Sequence, residues 1–598
     1  MAVQILLSVV CTFGLFLIFW STGAVVLSRC KAGMGGTLLN ACAGMSLGFG
    51  VVGTCVMILC FFHAASPFVL RLFAAILLLV SLPHAWVNRF VLGRCVNSFF
   101  RVIGRTHPLV SAAFCALLAG YFLLGLLPPT DFDGLMYHLA SAKLFLSHHG
   151  FYHIFFNPQS DFPMLTEMNF MLGIAFGNDI ICKTTSFCLG AAALSLIAVL
   201  CKRHCESESL AVAACVVFMT FTNTIANLSN CYVDVPQALW TILAVLFMER
   251  FCETGMRRYA FFAGAFAGMA MQTKIFGVFV LPILLVMLLI SMRTKGARKT
   301  GSGAAIAFIP AFLLALPWYV KSFMDNGTIL SISHATIAGQ GLAHPLGVAA
   351  RTPLVYWLLN VVGRTLSAPW AFSLFPHLHQ ADTFGPLIIA VLPFLLFVKS
   401  PAGVKGLLLY AGLFMVEILA MEMWFVQGGA NIRYGTFVLM LCAPLVVWTI
   451  SRLQDLALTR RMLTVMVVIM VVFGMALFAK RYYKDWKALA LNQTREAYYA
   501  SVLPEYPVIA AINTLHDGAT VMAVYNYANY LIDVPYIAAY RSYSSVEETM
   551  DDFRAKNIRY IFANDKLDTL ANSDPFPQIT NKQCVASANG FYLFKVAW

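Results

Sequence analysis

Acidic residues are scarce in this sequence: 27 Asp and Glu stand against 40 Lys and Arg in 598 positions, and the four types together make up only 11%. A soluble chain of this length needs far more charged surface, so most of this one must face lipid or a lipid-buried core. Nucleotide and metal signatures are missing as well. There is no P-loop, no G-x-G-x-x-G in a βαβ setting, no H-E-x-x-H and no C-x-x-C pair. Neither a soluble nucleotide nor a structural zinc therefore has a recognisable site. The first 27 residues lack a basic leading region and a clear small-residue cleavage site, which argues for a retained helix and against a removed signal peptide. The sequence also shows no repeats and no low-complexity linker.

What is present is apolar length. Hydrophobic residues make up 60% of the chain, and a spanning helix needs about 20 such residues in a row. Candidate spans fall near 3–27, 38–62, 67–88, 108–127, 180–200, 209–226, 235–250, 259–273, 276–292, 303–320, 384–398, 405–425, 434–451 and 462–479, a helical bundle of about fourteen crossings. The basic residues gather in short loops between them, such as Arg29/Lys31, Arg89/Arg94/Arg101/Arg105, Lys202/Arg203, Arg257/Arg258, Arg293/Lys295/Arg298/Lys299 and Arg452/Arg460/Arg461. That is the positive-inside pattern, so the net charge of +13 is topology and not a nucleic-acid surface. An even count puts both termini outside.

Three parts follow: extra N-terminal helices over 1–107, a core over 108–480 with long external loops 128–179 and 321–383, and a tail over 481–598. The tail balances acids and bases. Its β-rich runs Thr520–Tyr525, Tyr536–Tyr540, Ile558–Ala563 and Phe591–Val596 are separated by helical patterns at Tyr527–Leu531 and Val546–Lys556. Such alternation predicts a small external α/β domain. Of sixteen cysteines only Cys584 lies there, so the tail has no internal disulfide.

Charged groups retained beside a membrane are functional suspects. Asp131 and Asp133 stand where a span leaves the bilayer, followed by Tyr137, His138 and Lys143 at helical spacing. A partly desolvated carboxylate there can serve as a general base, or it can simply cap the helix. Asp161, with Glu167 after it, and Asp234, in the short turn Asn230-Cys-Tyr-Val-Asp-Val-Pro, carry the same two readings. Lys274, Arg433, Lys321, Arg351 and Arg364 lie on the external side, where positive-inside bias disfavours cations. Snorkelling to lipid headgroups accounts for such cations, and a dedicated phosphate ligand is the sharper reading. His138 and His153 read as hydrogen-bonding residues, not metal ligands.

The ordered set Asp133-Gly-Leu-Met-Tyr-His-Leu-Ala, Asp161-Phe-Pro, Asp234-Val-Pro, Gly264…Gly268-Met-Ala-Met-Gln-Thr-Lys274 and Ile432-Arg-Tyr434 resembles the GT-C superfamily of polytopic glycosyltransferases. The similarity is to the bacterial branch near protein O-mannosyltransferases and lipid A aminoarabinose transferases, and it covers roughly 128–479. The resemblance implies an inverting glycosyltransferase in a bacterial inner membrane, with its tail in the periplasm. It would take a sugar from a polyprenyl-phosphate donor and pass it to an extracytoplasmic acceptor. It also implies Asp133 as base, Asp234 as second acid with Asp161 assisting, and Lys274, Arg433 and Tyr434 near the lipid phosphate. Asp131, Tyr137, His138 and Lys143 would line the substrate.

Some relatives hold a divalent cation between loop carboxylates, so Mg2+ or Mn2+ between Asp133 and Asp234 is a further expectation. The sequence departs from the pattern at Asp161-Phe-Pro, where aminoarabinose transferases carry Lys before a Pro pair. It departs again at Asp325-Asn-Gly-Thr, where relatives have Gly-Asn-Pro, and in its three leading spans. Two other readings remain: a secondary transporter or flippase of lipid-linked or small anionic substrates, and an enzyme like the O-antigen ligases or polymerases.

Overall fold

The computed structural model describes residues 2–205, 207–295, 297–327, 385–398, 412, 435–525, 527–539, 545–564 and 582–597. Arg433, Tyr434, Arg351, Arg364 and, apart from Gly412, the expected span 405–425 lie outside these residues. Four long helices open the chain: α1 (Ala2–Arg29), α2 (Thr37–Phe61), α3 (Pro67–Val87) and α4 (Arg89–Arg105). The core continues with α5 (Pro108–Gly125), α6 (Leu139–Ser147), α7 (Leu165–Ala175), α8 (Ile180–Cys205), α9 (Glu208–Thr220), α10 (Thr222–Asn227), α11 (Asp234–Thr254), α12 (Arg257–Thr273), α13 (Val280–Lys295) and α14 (Ala297–Asn326). Helices Thr436–Arg452 and Ala457–Arg481 complete the described bundle. Among the described residues nine helices are long and apolar enough to cross a membrane, which makes this a multi-pass membrane protein.

The helix ends follow local chemistry. Ser66 accepts from the Val69 N–H and Pro67 opens α3, so two otherwise unserved donors are dealt with at once. Helices α1 and α2 touch backbone to backbone. A Cβ on Gly23 would lie 1.8 Å from the Gly44 carbonyl oxygen, and one on Gly48 would lie 1.7 Å from that of Phe19. In lipid, close approach of this kind replaces the hydrophobic drive as the source of helix association.

Several boundaries differ from the sequence expectation. The run expected as one span over 209–226 breaks at Phe221 into α9 and α10. The region 384–398 holds only the short helix Leu387–Val391 and a 3-10 turn over Leu392–Phe397, because Pro393 lacks an N–H to continue the ladder. The basic stretch after α3 is not a loop but the amphipathic helix α4, with Phe90, Val96 and Phe100 exposed beside its arginines.

The tail is the expected α/β unit. Its five-stranded sheet runs in the order β2-β1-β3-β5-β4, with β1 (Thr520–Ala523), β2 (Tyr536–Ala538), β3 (Ile558–Asn564), β4 (Lys582–Ala588) and β5 (Phe591–Val596). β1 pairs in parallel with β2 and β3, and β5 runs antiparallel to β3 and β4. Helix Val546–Ala555, capped by the Ser545 hydroxyl on the Glu548 N–H, makes the crossover from β2 to β3. Strand β4 escaped the sequence pattern because Lys-Gln-Cys-Val-Ala-Ser-Ala is a half-exposed edge with little β-branched content.

Candidate active site

The segment after α5 leaves the bundle at Leu126 and carries two buried carboxylates within three residues. Gly134–His138 then forms a single π-helical turn leading into α6, a local widening that recurs at functional sites. A Cβ at Gly134 would meet the Asp131 carboxylate at 1.9 Å, so any larger residue there would force that carboxylate to move. Asp133 immediately precedes this turn with helical backbone angles, and its side chain makes no capping hydrogen bond to it. Its Oδ2 instead accepts from the Tyr137 hydroxyl at 3.1 Å. The capping reading therefore fails for Asp133.

Asp131 reaches across to the other acidic turn. Its Oδ1 accepts from the Cys231 N–H at 3.4 Å, three residues before Asp234. Burial pushes the Asp131 carboxyl up from its ordinary value, and the nearby Lys183 ammonium pulls it part of the way back. His138 is fully buried, with Nδ1 2.5 Å from Glu167 Oε1 and its ring 6.3 Å from that of Tyr232. These contacts bring Asp131 and His138 to the turn Asn230–Asp234, and Asp133 and Tyr137 lie on the same segment beside them.

Asp234 opens α11 and is buried. The Lys274 ammonium, at the sharp exit from α12, lies 2.7 Å from its Oδ1. Lys274 does occupy the tight hairpin that the sequence suggested, between α12 and a 3-10 turn over Ile275–Phe279.

Two expected site residues make ion pairs of their own. Lys143 donates to the Tyr530 and Ile532 carbonyls, both at 2.9 Å, and to Asp533 Oδ1 at 2.6 Å. All three of its donors are spent on holding the tail, which leaves none for substrate. Asp161 faces Lys321 at 3.4 Å, and Lys321 in turn meets Asp325 at 2.7 Å. This is a second ionic cluster between the first loop and α14, and burial raises the Asp161 proton affinity against the pull of Lys321.

Sequence reasoning passed over Lys183, which is fully buried in the first turn of α8. A lysine inside an otherwise apolar span was the available signal. It also passed over Asp179 and Arg495, which tie the core to the tail. The tail covers the acidic loop directly: Tyr527 stacks edge-on against Phe132 at 3.8 Å, and the Asn529 amide reaches the Met136 carbonyl at 3.5 Å.

The expected place for Mg2+ or Mn2+ is between Asp133 and Asp234. Among the described residues no group of three or more His, Cys, Asp or Glu is placed to hold a metal ion, and the Lys274 ammonium already neutralises Asp234.

The fold and site together define a polytopic membrane protein with a buried ionic centre at the mouth of its helical bundle, roofed by an α/β tail. Residues 189–320, which contain Asp234 and Lys274, match the family of dolichyl-phosphate-mannose-protein mannosyltransferases. This supports the GT-C resemblance read from the motifs. No curated sequence matches. Among solved structures, ArnT from Cupriavidus metallidurans bound to undecaprenyl phosphate is 12% identical with a TM-score of 0.46, covering 81% of this chain and 98% of that one. The apo oligosaccharyltransferase of Archaeoglobus fulgidus is 14% identical with a TM-score of 0.43, covering 77% of this chain and 70% of its own. The A. fulgidus AglB complex with an inhibitory peptide and dolichol-phosphate is 13% identical with a TM-score of 0.39, covering 82% and 74%. At TM-scores below 0.5 these likenesses carry no argument about function.

Proposed function

We propose that this chain is an inverting glycosyltransferase. It moves a sugar from a polyprenyl-phosphate donor to an acceptor hydroxyl on the side of the membrane opposite the basic loops. The observation that carries the reading is the Lys274–Asp234 pair at 2.7 Å. It lies inside the segment that matches the mannosyltransferase family, whose name specifies a lipid-phosphate sugar donor, and the two-carboxylate loop packs onto the turn that bears it.

In the proposed reaction the bond from the anomeric carbon to the donor phosphate breaks as a bond to the acceptor oxygen forms. Asp133 takes the acceptor proton, and the Tyr137 hydroxyl fixes the carboxylate that does so. The lipid phosphate leaves as an anion and needs charge stabilisation more than protonation. Lys274 supplies it, oriented by Asp234, with Arg433 and Tyr434 assigned beside it by the motif resemblance. A bacterial inner membrane with a periplasmic tail is the setting this reading favours.

The test is turnover by the purified full chain in proteoliposomes, with a labelled polyprenyl-phosphate sugar. Release of polyprenyl phosphate together with a glycosylated acceptor is expected. Movement of the label across the bilayer without released lipid phosphate would instead identify a transporter or flippase.

A further inference from the structure

The four N-terminal helices contain a feature that the transfer reaction does not use. Residues 1–130 include seven cations (Arg29, Lys31, Arg71, Arg89, Arg94, Arg101 and Arg105) and not one Asp or Glu. Some of these charges are answered from elsewhere. Arg71 donates to the Ala175 carbonyl at 2.6 Å, and Arg101 and Arg105 face Glu208. Arg89 lies over the Trp86 and Phe90 rings at 4.5 and 4.4 Å. No carboxylate pairs with Arg29 or Arg94 among the described residues.

Those two arginines line one cavity of about 490 Å3, formed where the basic-side ends of α1, α2, α3 and α4 meet. Its volume falls in the range of small-molecule sites, about 300–1,000 Å3. Polar groups converge in it. Arg94 uses Nε on the Phe90 carbonyl at 3.3 Å, which leaves the ends of its fork. Asn40 uses only its oxygen, on the Met34 N–H at 2.7 Å. His84 Nδ1 is buried without a hydrogen-bond partner, beside the Trp20 ring at 5.4 Å. Ser28, Thr37 and Asn88 add further polar groups to an otherwise apolar lining, and Trp86, Val87 and Phe90 are exposed alongside. Two guanidinium forks are suited to phosphate oxygens, and the adjoining apolar surface is suited to acyl chains.

We propose that this cavity binds the head of an anionic phospholipid from the leaflet on the basic side of the membrane. Arg29 and Arg94 hold the phosphate, Asn40 and His84 meet the remaining polar atoms, and α4 lies along the surface as an amphipathic helix above the acyl chains. A basic cluster without internal acids is electrostatically incomplete, and an anionic leaflet supplies the missing charge. The site is on the opposite side of the bilayer from the candidate active site and does not depend on the transferase reading.

Native mass spectrometry of the purified full chain, titrated with phosphatidylglycerol, phosphatidylcholine or inorganic phosphate, tests this. Phosphatidylglycerol is expected to bind at least about tenfold more tightly than phosphatidylcholine, and Arg29→Gln/Arg94→Gln should remove that preference. Ala41→Trp, which fills the cavity without changing charge, should displace the same lipid. This second variant keeps the idea testable if the double variant misfolds. Equal binding of the two lipids, undiminished phosphatidylglycerol binding in Ala41→Trp, or competition by inorganic phosphate at matched concentration would overturn the assignment.

Discussion

Arg495 in the tail grips Asp179 at the start of α8 with both arms of its guanidinium, Nη1 donating to Oδ1 at 2.9 Å and Nη2 to Oδ2. Nη2 also donates to the Tyr499 hydroxyl at 2.9 Å. Asp179 is buried, so breaking the pair strands a charge in a poorly solvated place. Arg495→Ala is expected to cost about 3 kcal/mol and to loosen the tail, read as a lower Tm and faster proteolysis of the 481–598 segment. Asp179→Asn combined with Arg495→Gln should recover about 1–3 kcal/mol of that loss. Additive losses would show that the pair does not couple the two parts.

Lys274 and Asp234 make different predictions under the proposed mechanism. Lys274→Ala removes the cation facing the leaving phosphate, so both KM for the donor and kcat should worsen, with kcat/KM falling about 100-fold or more. Asp234→Asn keeps the shape but weakens the hold on the lysine, and its main effect should fall on kcat. Steady-state kinetics with the lipid-linked donor separate the two patterns.

Asp133→Asn keeps the hydrogen bond from Tyr137 but loses the proton acceptor. Transfer should fall about 10²–10⁴-fold, while Tm and donor-lipid binding stay near wild type. Retained turnover would remove Asp133 from its role. Tyr137→Phe should show a smaller loss, in kcat rather than KM, because it acts through the carboxylate.

Glu505 gives a pH test in the tail, away from the membrane. Burial raises its proton affinity, partly offset by hydrogen bonds from its own backbone and from Tyr525. The folded state therefore binds the proton more tightly than the unfolded chain, and stability falls as pH rises through the folded pKa. Glu505→Gln abolishes that slope. The variant should match wild type below about pH 4, where both forms of Glu are protonated, and exceed it at neutral pH. Tm measured across pH checks both ends.

The candidate site was partly legible in the sequence because carboxylates and lysines are costly beside a bilayer and stand out there. Asp133, Asp234 and Lys274 were visible for that reason, and the pair at 2.7 Å joins two of them. Lys143 misled. Its helical spacing from Asp133 suggested a shared face, but the Tyr530 and Ile532 carbonyls that occupy it lie nearly four hundred residues away. The partner of Asp161 was likewise not recorded in its spacing, since Lys321 joins it from α14. Helix α4 was hidden because its arginines resemble a topogenic loop, and its apolar residues are too few for a span.

By itself the sequence determined that this chain spans a membrane many times and that an α/β unit follows the bundle. Those properties rest on local composition, since lipid demands long apolar runs and inside-facing charge wherever the partners lie. Only the tertiary structure decided which charge answers which. A buried ion pair joins residues by proximity in space, and no periodicity along the chain records that Asp179 meets Arg495 or that Asp131 reaches the turn before Asp234.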